Sequence, residues 1–250
     1  MGVLSFDRLR AFGRTFEPHL SMTTSKRFKT VSKNVEPKKA YPLAEAVKVL
    51  KASAPAKFDE AVEIHANLGI DPRQSDQQLR GTITLPHGTG KTKRIIAFVE
   101  PAQEGAAKEA GADIVGTEEV IDEIVKTGKI EFDIAVATPM MMPKLAKAAR
   151  VLGPKGLMPN PKTDTVGPNI ARIIQEQKGG KIAFKNDNTS NTHLVVGKAS
   201  FSEEQLTGNI TAAIEALRKA KPASSKGIYL RSVTLKSTMG PAVLLDISSI

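Results

Sequence analysis

A long central part of the chain alternates between strand-like and helix-like segments, and this alternation limits the fold more than any other feature of the sequence. Arg94–Val99 and Phe132–Ala137 are apolar, β-branched runs typical of buried strands. Thr117 is a predicted N-cap for one intervening helix, and residues 144–150 are predicted to form another. Strands and helices in this order predict a small three-layer α/β domain with a largely parallel sheet.

The segments on either side have another pattern. Residues 58–68 alternate between apolar and polar side chains, which predicts a strand with one buried face. After residue 180 come two strand-like runs, a helix opened by the capping box Ser202–Gln205, and two final strands. The α/β part is therefore interpreted as an insertion. The glycines at its ends are candidates for a paired hinge: Gly88, Gly90, Gly179 and Gly180.

Residues 85–94 read LPHGTGKTKR and end like a phosphate-binding loop in Gly90-Lys91-Thr92. Such a loop needs a glycine where this chain has Leu85, and a helix after the threonine. Residues 93–99 are instead β-branched and aromatic. A nucleotide hydrolase is therefore rejected, and a glycine-rich connection between domains is preferred.

The charge balance favours a polyanionic partner. Lys and Arg number 36 against 26 Asp and Glu, a formal net charge of +10, which most often indicates nucleic acid. Nine Phe, two Tyr and no Trp are few rings for stacking successive single-stranded bases, so structured RNA is favoured. No apolar run approaches the roughly 18 residues of a membrane-spanning helix, and no cysteine offers a disulfide or a thiolate zinc site.

Residues 1–21 differ from the rest of the chain. They contain three arginines but also two acids, an imperfect match to a mitochondrial presequence, which is rich in Arg and poor in acids. A strongly basic stretch begins at Met22. The preferred interpretation is that translation begins at Met22, and a targeting peptide is the alternative.

Basic residues concentrate between Met140 and Thr163, where there is no acid. Within this stretch, residues 153–162 read GPKGLMPNPK, and the three prolines and two glycines predict a stiff, shaped loop. A rigid cationic loop suits polyanion contact because little order is gained on binding. A proline-fixed turn with solvated lysines is the alternative that composition leaves open.

Catalytic or metal-binding groups are not apparent in the sequence. His65 has no second ligand at metal-binding spacing and is interpreted as a surface or edge histidine. Asp71 and Asp76 lie near Arg73, which favours a turn or an ion pair over a metal pair. No nucleophile–base pair or pair of carboxylates is evident. The chain is therefore predicted to be no enzyme, with no metal and no cofactor.

The loop at 153–162, with Thr165-Val-Gly167 after it, closely resembles the signature of the L-one family of large-subunit ribosomal proteins, bacterial type. The resemblance covers the chain from about residue 27 to the end. It is carried by AKFDE at 56–60, LGIDPR at 68–73, SDQ at 75–77, RG at 80–81, LPHG at 85–88, GAD at 111–113, FKND at 184–187 and STMGP at 237–241.

The resemblance implies an α/β fold with two domains. Domain I is a discontinuous α+β domain formed by residues 22–88 and 180–250, and it binds RNA. Domain II, residues 89–179, is an inserted three-layer α/β (Rossmann-like) domain, and residues 1–21 are an extension. The implied rRNA-binding residues are Lys57, Phe58, Lys185, Asn186, Asp187, Arg231, Ser232, Thr238, Met239 and Gly240. Lys155, Gly156 and Lys162 of the basic loop are implied contacts for tRNA or rRNA.

The function implied by the resemblance is that of a structural constituent of the large ribosomal subunit. Such a protein binds a folded junction of large-subunit rRNA, forms the mobile stalk with other ribosomal components, and assists release of deacylated tRNA from the exit site. Repression of its own mRNA is a further expectation. A monomer when free, in the bacterial cytoplasm, is expected, with an organellar ribosome as the alternative. A non-specific RNA-binding protein or RNA chaperone is the competing interpretation.

Overall fold

The computed structural model describes residues 25–36, 39–54 and 56–249, so the predictions about residues 1–21 lie outside the described residues. The fold is mixed α/β with three sheets, as predicted. The strands are β1 (Ala40–Tyr41), β2 (Ala61–Leu68), β3 (Arg80–Thr84), β4 (Ile95–Phe98), β5 (Ile114–Gly116), β6 (Ile134–Ala137), β7 (Lys181–Lys185), β8 (Asn191–Lys198), β9 (Leu230–Ser237) and β10 (Ala242–Leu245). The α-helices are α1 (Lys26–Ser32), α2 (Leu43–Ala52), α3 (Glu104–Glu109), α4 (Glu118–Thr127), α5 (Met142–Leu145), α6 (Ala149–Leu152), α7 (Ile170–Lys178) and α8 (Glu203–Lys219).

The largest sheet has five strands in the order β1-β10-β9-β2-β8. Strand β2 is antiparallel to both neighbours, and Val62, Ile64, Ala66 and Leu68 point to one side, where they are buried. They share a hydrophobic cluster with buried residues of α2 and α8. Side chains at the alternate positions of β2 are half-buried on the opposite face. The strand predicted within residues 58–68 is thus confirmed from Ala61 onward, whereas residues 58–60 precede it and Phe58 is exposed.

A three-stranded parallel sheet, ordered β5-β4-β6, forms from the central part of the chain. Successive residues of β4 belong to different clusters: Ile96 and Phe98 pack with residues of α4 and α6, while Ile95 and Ala97 pack with residues of α3 and α7. Because side chains alternate across a strand, helices cover both faces of this sheet. The predicted parallel sheet is present.

The hydrophobic clusters draw on different parts of the chain. Buried members of the first cluster come from residues 41–85 and 184–245, and those of the other two come from residues 95–174. Strands β3 and β7 form a separate antiparallel pair on either side of the central part, with Thr84 opposite Lys181. The prediction of an inserted domain has this packing in its favour and stays a prediction.

Local predictions differ in outcome. The capping box at Ser202 is present with both of its hydrogen bonds. Thr117 occupies the N-cap of α4, but its side chain makes no capping hydrogen bond. The single helix predicted at residues 144–150 is divided, because the turn tightens to 3-10 geometry at Ala146–Ala148 while one face stays buried. Residues 91–94 carry no helix and lead directly into β4, as expected for a connection.

Candidate nucleic-acid interface

The turn between β9 and β10, residues 238–240, is fixed against the start of β2. The Thr238 N–H donates to the Ala61 carbonyl at 3.1 Å, and the Ala61 N–H donates to the Thr238 hydroxyl at 3.0 Å. The buried Glu60 carboxylate accepts from the N–H groups of Met239 and Ala56, each at 3.0 Å. These hydrogen bonds fix the backbone of the turn at this end of the sheet.

Glu60 is a charged anchor that the sequence reasoning missed. Burial opposes its ionisation, but hydrogen bonds, of which that from the Met239 N–H has the largest effect, outweigh burial and hold the pKa of Glu60 below its ordinary value. The carboxylate thus stays ionised at neutral pH and orients the backbone of Met239. The sequence does contain a signal of this buried carboxylate, because Glu60 occupies an apolar position in the alternating pattern of residues 58–68.

Gly240 is required by close packing inside the protein. A Cβ at this position would lie 2.3 Å from the Ser237 hydroxyl oxygen and 2.9 Å from the Ser53 carbonyl oxygen. A larger residue would therefore push the turn away from Ser53 at the end of α2. Gly240 is buried, so its effect on the surface is through the position of Met239.

Two large apolar side chains lie exposed at this end of the β2–β9 pair. Phe58 is 55% exposed and Met239 is 47% exposed, with Lys57 also exposed beside Phe58. Most surface apolar residues occur singly, so two beside a lysine and a fixed turn form an unusual surface. This set, Lys57, Phe58 and the turn at residues 238–240, is called the apolar–basic edge below.

The remaining candidates lie elsewhere on the same sheet or near it. Ser232 is opposite Asn67 at the far end of the β2–β9 pair, and Arg231 beside it is exposed. The Asp187 carboxylate accepts from the Thr189 hydroxyl and from the Asn191 N–H, and these bonds lower the pKa of Asp187 to about 2.

Asn186 differs from the other candidates because it is buried. Its side chain accepts from the Leu79 N–H at 2.8 Å and donates to the Asp187 carbonyl at 3.1 Å. Its side chain therefore shapes the connection after β7. Lys185, one residue earlier, is exposed and opposite Arg80.

The basic loop at 153–162 is held by its own hydrogen bonds. The Asn160 N–H donates to the Thr165 hydroxyl, which donates back to the Asn160 carbonyl, and the Lys162 N–H donates to the Asn160 side chain. Leu157 and Met158 pack on the neighbouring hydrophobic cluster, while Lys155 and Lys162 are exposed. The predicted shaped loop with outward lysines is present.

The loop approaches β3 and β7 across a cavity of about 410 Å³, which Arg80, Gly156 and Lys185 help to line. The structure thus brings Lys185 and Gly156 together, away from the apolar–basic edge. Asp164 connects the two walls, because its carboxylate accepts from the Thr82 hydroxyl at 3.0 Å and pairs with Lys181 at 2.9 Å.

The hinge candidates lie side by side. Gly88, Gly90 and Gly180 have positive φ angles of 65°, 71° and 98°, whereas Gly179 does not. A Cβ on Gly180 would be 2.5 Å from the Cα of Gly88, so the two connections touch where they leave the paired strands β3 and β7. This proximity fits a paired hinge.

The described part of the chain offers neither a metal cluster nor a membrane-spanning helix. Within residues 25–36, 39–54 and 56–249, no three His, Asp or Glu side chains are grouped so as to hold a metal ion. In the same residues no helix is long and apolar enough to cross a membrane.

The fold and this surface define a class: a mixed α/β protein that presents a lysine and two apolar side chains beside a fixed turn. A comparison with protein families matches residues 50–241 to the ribosomal protein L1p/L10e family. The chain belongs to this family.

Curated relatives agree over most of the chain. A protein of Salinispora arenicola called large ribosomal subunit protein uL1 is 51% identical over 90% of this chain and 94% of its own length. Proteins of the same name from Clavibacter michiganensis and Methylobacillus flagellatus are each 48% identical, over 92% and 90% of this chain and 100% and 98% of their own lengths. The family is one of ribosomal proteins, which confirms the prediction that the chain is not an enzyme.

Proposed function

We propose that this protein is a structural constituent of the large ribosomal subunit and binds a folded junction of large-subunit rRNA through the apolar–basic edge. The observation that carries the proposal is the turn at residues 238–240, held by the ionised Glu60 with Met239 pointing to solvent. A pre-ordered turn binds without a further ordering cost. The family of the chain supports the same function.

Each part of the edge suits folded RNA. Lys57 offers a cation to a phosphate, which contributes affinity without reading sequence. Phe58 and Met239 offer apolar surface to a sugar or to an unstacked base, as found at junctions and bulges. Arg231 and Ser232 extend the polar contact along β9. A duplex alone would use the lysine and leave both apolar side chains without a partner.

The proposed organisation rests on the packing of the clusters. Residues 22–88 and 180–250 form domain I, and residues 89–179 form domain II, with the hinge at Gly88, Gly90, Gly179 and Gly180. Domain II carries the basic loop with Lys155, Gly156 and Lys162 towards exit-site tRNA. Movement about the hinge then assists release of deacylated tRNA.

The proposal also includes repression of the protein's own mRNA and a location in the cell. A messenger that imitates the rRNA junction would occupy the same edge, so the protein would repress translation of its own mRNA. A bacterial cytoplasmic ribosome is the proposed location, in line with the bacterial relatives. A non-specific RNA chaperone is the second candidate, favoured only by the net charge of +10.

Replacing Phe58 or Met239 by Ala tests the proposed edge. Each should weaken binding of a junction RNA by about fivefold or more, because stacking of a base on an aromatic ring such as Phe58 contributes about 1–3 kcal/mol and Met239 offers apolar contact beside it. Met140→Ala is the matched control, since Met140 is 71% exposed but lies in the central part. Lys29→Ala on α1 should cost less than either edge variant. Equal losses of RNA affinity in all four variants would refute the assignment of the RNA-binding surface to the apolar–basic edge.

A further inference from the structure

The outer face of the five-stranded sheet carries a pair of histidines in contact. His65 of β2 is directly opposite His193 of β8, and the two Nδ1 atoms are 2.7 Å apart. The rings meet edge to face with centroids 5.0 Å apart. Such a short N–N distance requires a hydrogen bond, so one Nδ1 carries a proton and the other accepts it.

The other ring nitrogens each face a carboxylate. Nε2 of His65 lies 3.5 Å from the Glu63 carboxylate, and Nε2 of His193 lies 3.6 Å from the Asp187 carboxylate. A carboxylate at this position stabilises hydrogen on the nitrogen that faces it. The uncharged pair has one Nε2 hydrogen besides the shared Nδ1 hydrogen, and one further proton gives hydrogen on both Nε2 atoms.

The surroundings of the two rings indicate which of them accepts the shared hydrogen. Burial, the proximity of His193 and the Lys236 ammonium lower the pKa of His65, and Glu63 only partly opposes them. The His65 side chain is 28% exposed and that of His193 is 55% exposed. His65 is therefore the acceptor of the shared hydrogen, and the more exposed His193 ring is the donor.

The pair lies between the two ends of the proposed RNA site. On β2, His65 lies between Ala61, which binds Thr238 of the apolar–basic edge, and Asn67, which is opposite Ser232. Charged groups facing the pair are Glu63 on β2, Asp187 in the β7–β8 connection and Lys236 on β9, besides the partner ring. The two carboxylates outnumber the one ammonium, so one proton added to the pair makes this group of charges neutral.

We propose that the His65–His193 pair contacts a backbone phosphate of the bound RNA and takes up a proton when it does so. His193 is the more exposed ring, so it receives the added proton, turns outward and donates to the phosphate. The phosphate stabilises the added charge. This inference rests on the proposed RNA-binding function and adds to it a residue pair and a proton.

The direction of the pH effect is set by linkage. The RNA-bound protein holds more protons than the free protein, so affinity rises as the pH falls through the range in which histidine titrates. One proton changes affinity by at most about tenfold per pH unit. Binding of a stalk-junction rRNA fragment should therefore tighten about threefold to tenfold between about pH 8 and about pH 6 at constant ionic strength.

The test compares the full-length protein with His193→Gln and with His65→Gln, which keep a polar side chain but cannot titrate. The control is His87→Gln, an exposed histidine near the hinge. Calorimetric titration in buffers of different ionisation enthalpy counts the protons taken up. At the pH of steepest dependence, uptake should reach about 0.3 to 0.5 proton for the unmodified protein and His87→Gln, and fall towards zero in the other two.

The outcomes separate this inference from the function on which it rests. Equal proton uptake and equal pH dependence in all four proteins would overturn the role of the pair, and would assign the protons to the RNA. Junction preference without any pH dependence would also overturn it while leaving the proposed function intact. Absence of junction preference at every pH would instead contradict the proposed function itself.

Discussion

At the residue scale, Asn209 shows how one buried side chain holds three segments together. It is fully buried in α8, accepts from the His87 N–H at 3.1 Å, and donates to the carbonyls of Gly88 and Val196 at 2.9 and 2.7 Å. It thereby joins α8 and β8 to the first hinge connection. Buried polar groups without partners are costly, so this amide is important for stability.

Asn209→Ala should lower the free energy of unfolding by about 2–4 kcal/mol, because three backbone groups lose their partner. For a chain of this size, each kcal/mol corresponds to a fall in melting temperature of roughly 2–4 °C. Asn188→Ala, at an exposed position, should change the free energy of unfolding by less than about 0.5 kcal/mol. Thermal unfolding of both variants checks this, and equal melting temperatures would contradict the role of Asn209.

At the element scale, the basic loop is joined to β7 by a nearly buried lysine. The Lys181 side chain is 10% exposed and pairs with Asp164 at 2.9 Å and with Glu176 of α7 at 2.8 Å. Burial lowers the pKa of Lys181, but the bonds to both carboxylates outweigh it and leave that pKa raised. Asp164 itself has a φ of 49°, a strained value for a residue other than glycine.

Lys181→Met should release the loop from β3 and β7. Because Asp164 and Glu176 are partly exposed, the expected loss of stability is about 1–2 kcal/mol, less than for a fully buried pair. Amide hydrogen exchange across residues 157–166 should accelerate in this variant. Lys178→Met is the control, since its pair with Asp113 is long and exposed. Unchanged exchange in both would show that the ammonium does not restrain the loop.

Most elements could be predicted from the sequence, because hydrophobic periodicity and capping residues are local signals. Strand β2, helix α8 and the parallel sheet are set by such signals. Helix α1 could not be predicted, since Val31 is its one buried residue. Strand β1 has two residues and depends on parallel pairing with β10, far along the chain.

The site is less visible in the sequence than the elements. Lys57, Phe58 and Met239 were predicted because their motifs resemble a family, and exposure at one end of the sheet supports them. The burial of Asn186 and the anchor formed by Glu60 depend on tertiary contacts. The histidine pair spans 128 residues of sequence, so only the register of β2 with β8 brings it together.

At the scale of the whole molecule, the first hydrophobic cluster should survive without the central part. The Cα of Gly88 lies within contact distance of Gly180, so a short linker can join the two connections. A protein in which residues 90–178 are replaced by such a linker should unfold cooperatively and bind junction RNA within about threefold of the full chain. Cooperative unfolding with loss of binding would contradict the proposal that domain I binds the rRNA junction without domain II.

The central claim is specific recognition of a folded rRNA junction. The most direct measurement is the affinity of the protein for a stalk-junction fragment and for a base-paired hairpin of equal length, across a salt series. We expect a strong preference for the junction that persists at raised salt, because Phe58 and Met239 contribute contacts that ions do not screen. Equal affinity for both RNAs, falling steeply with salt, would mean that counterion release alone drives binding and would contradict it.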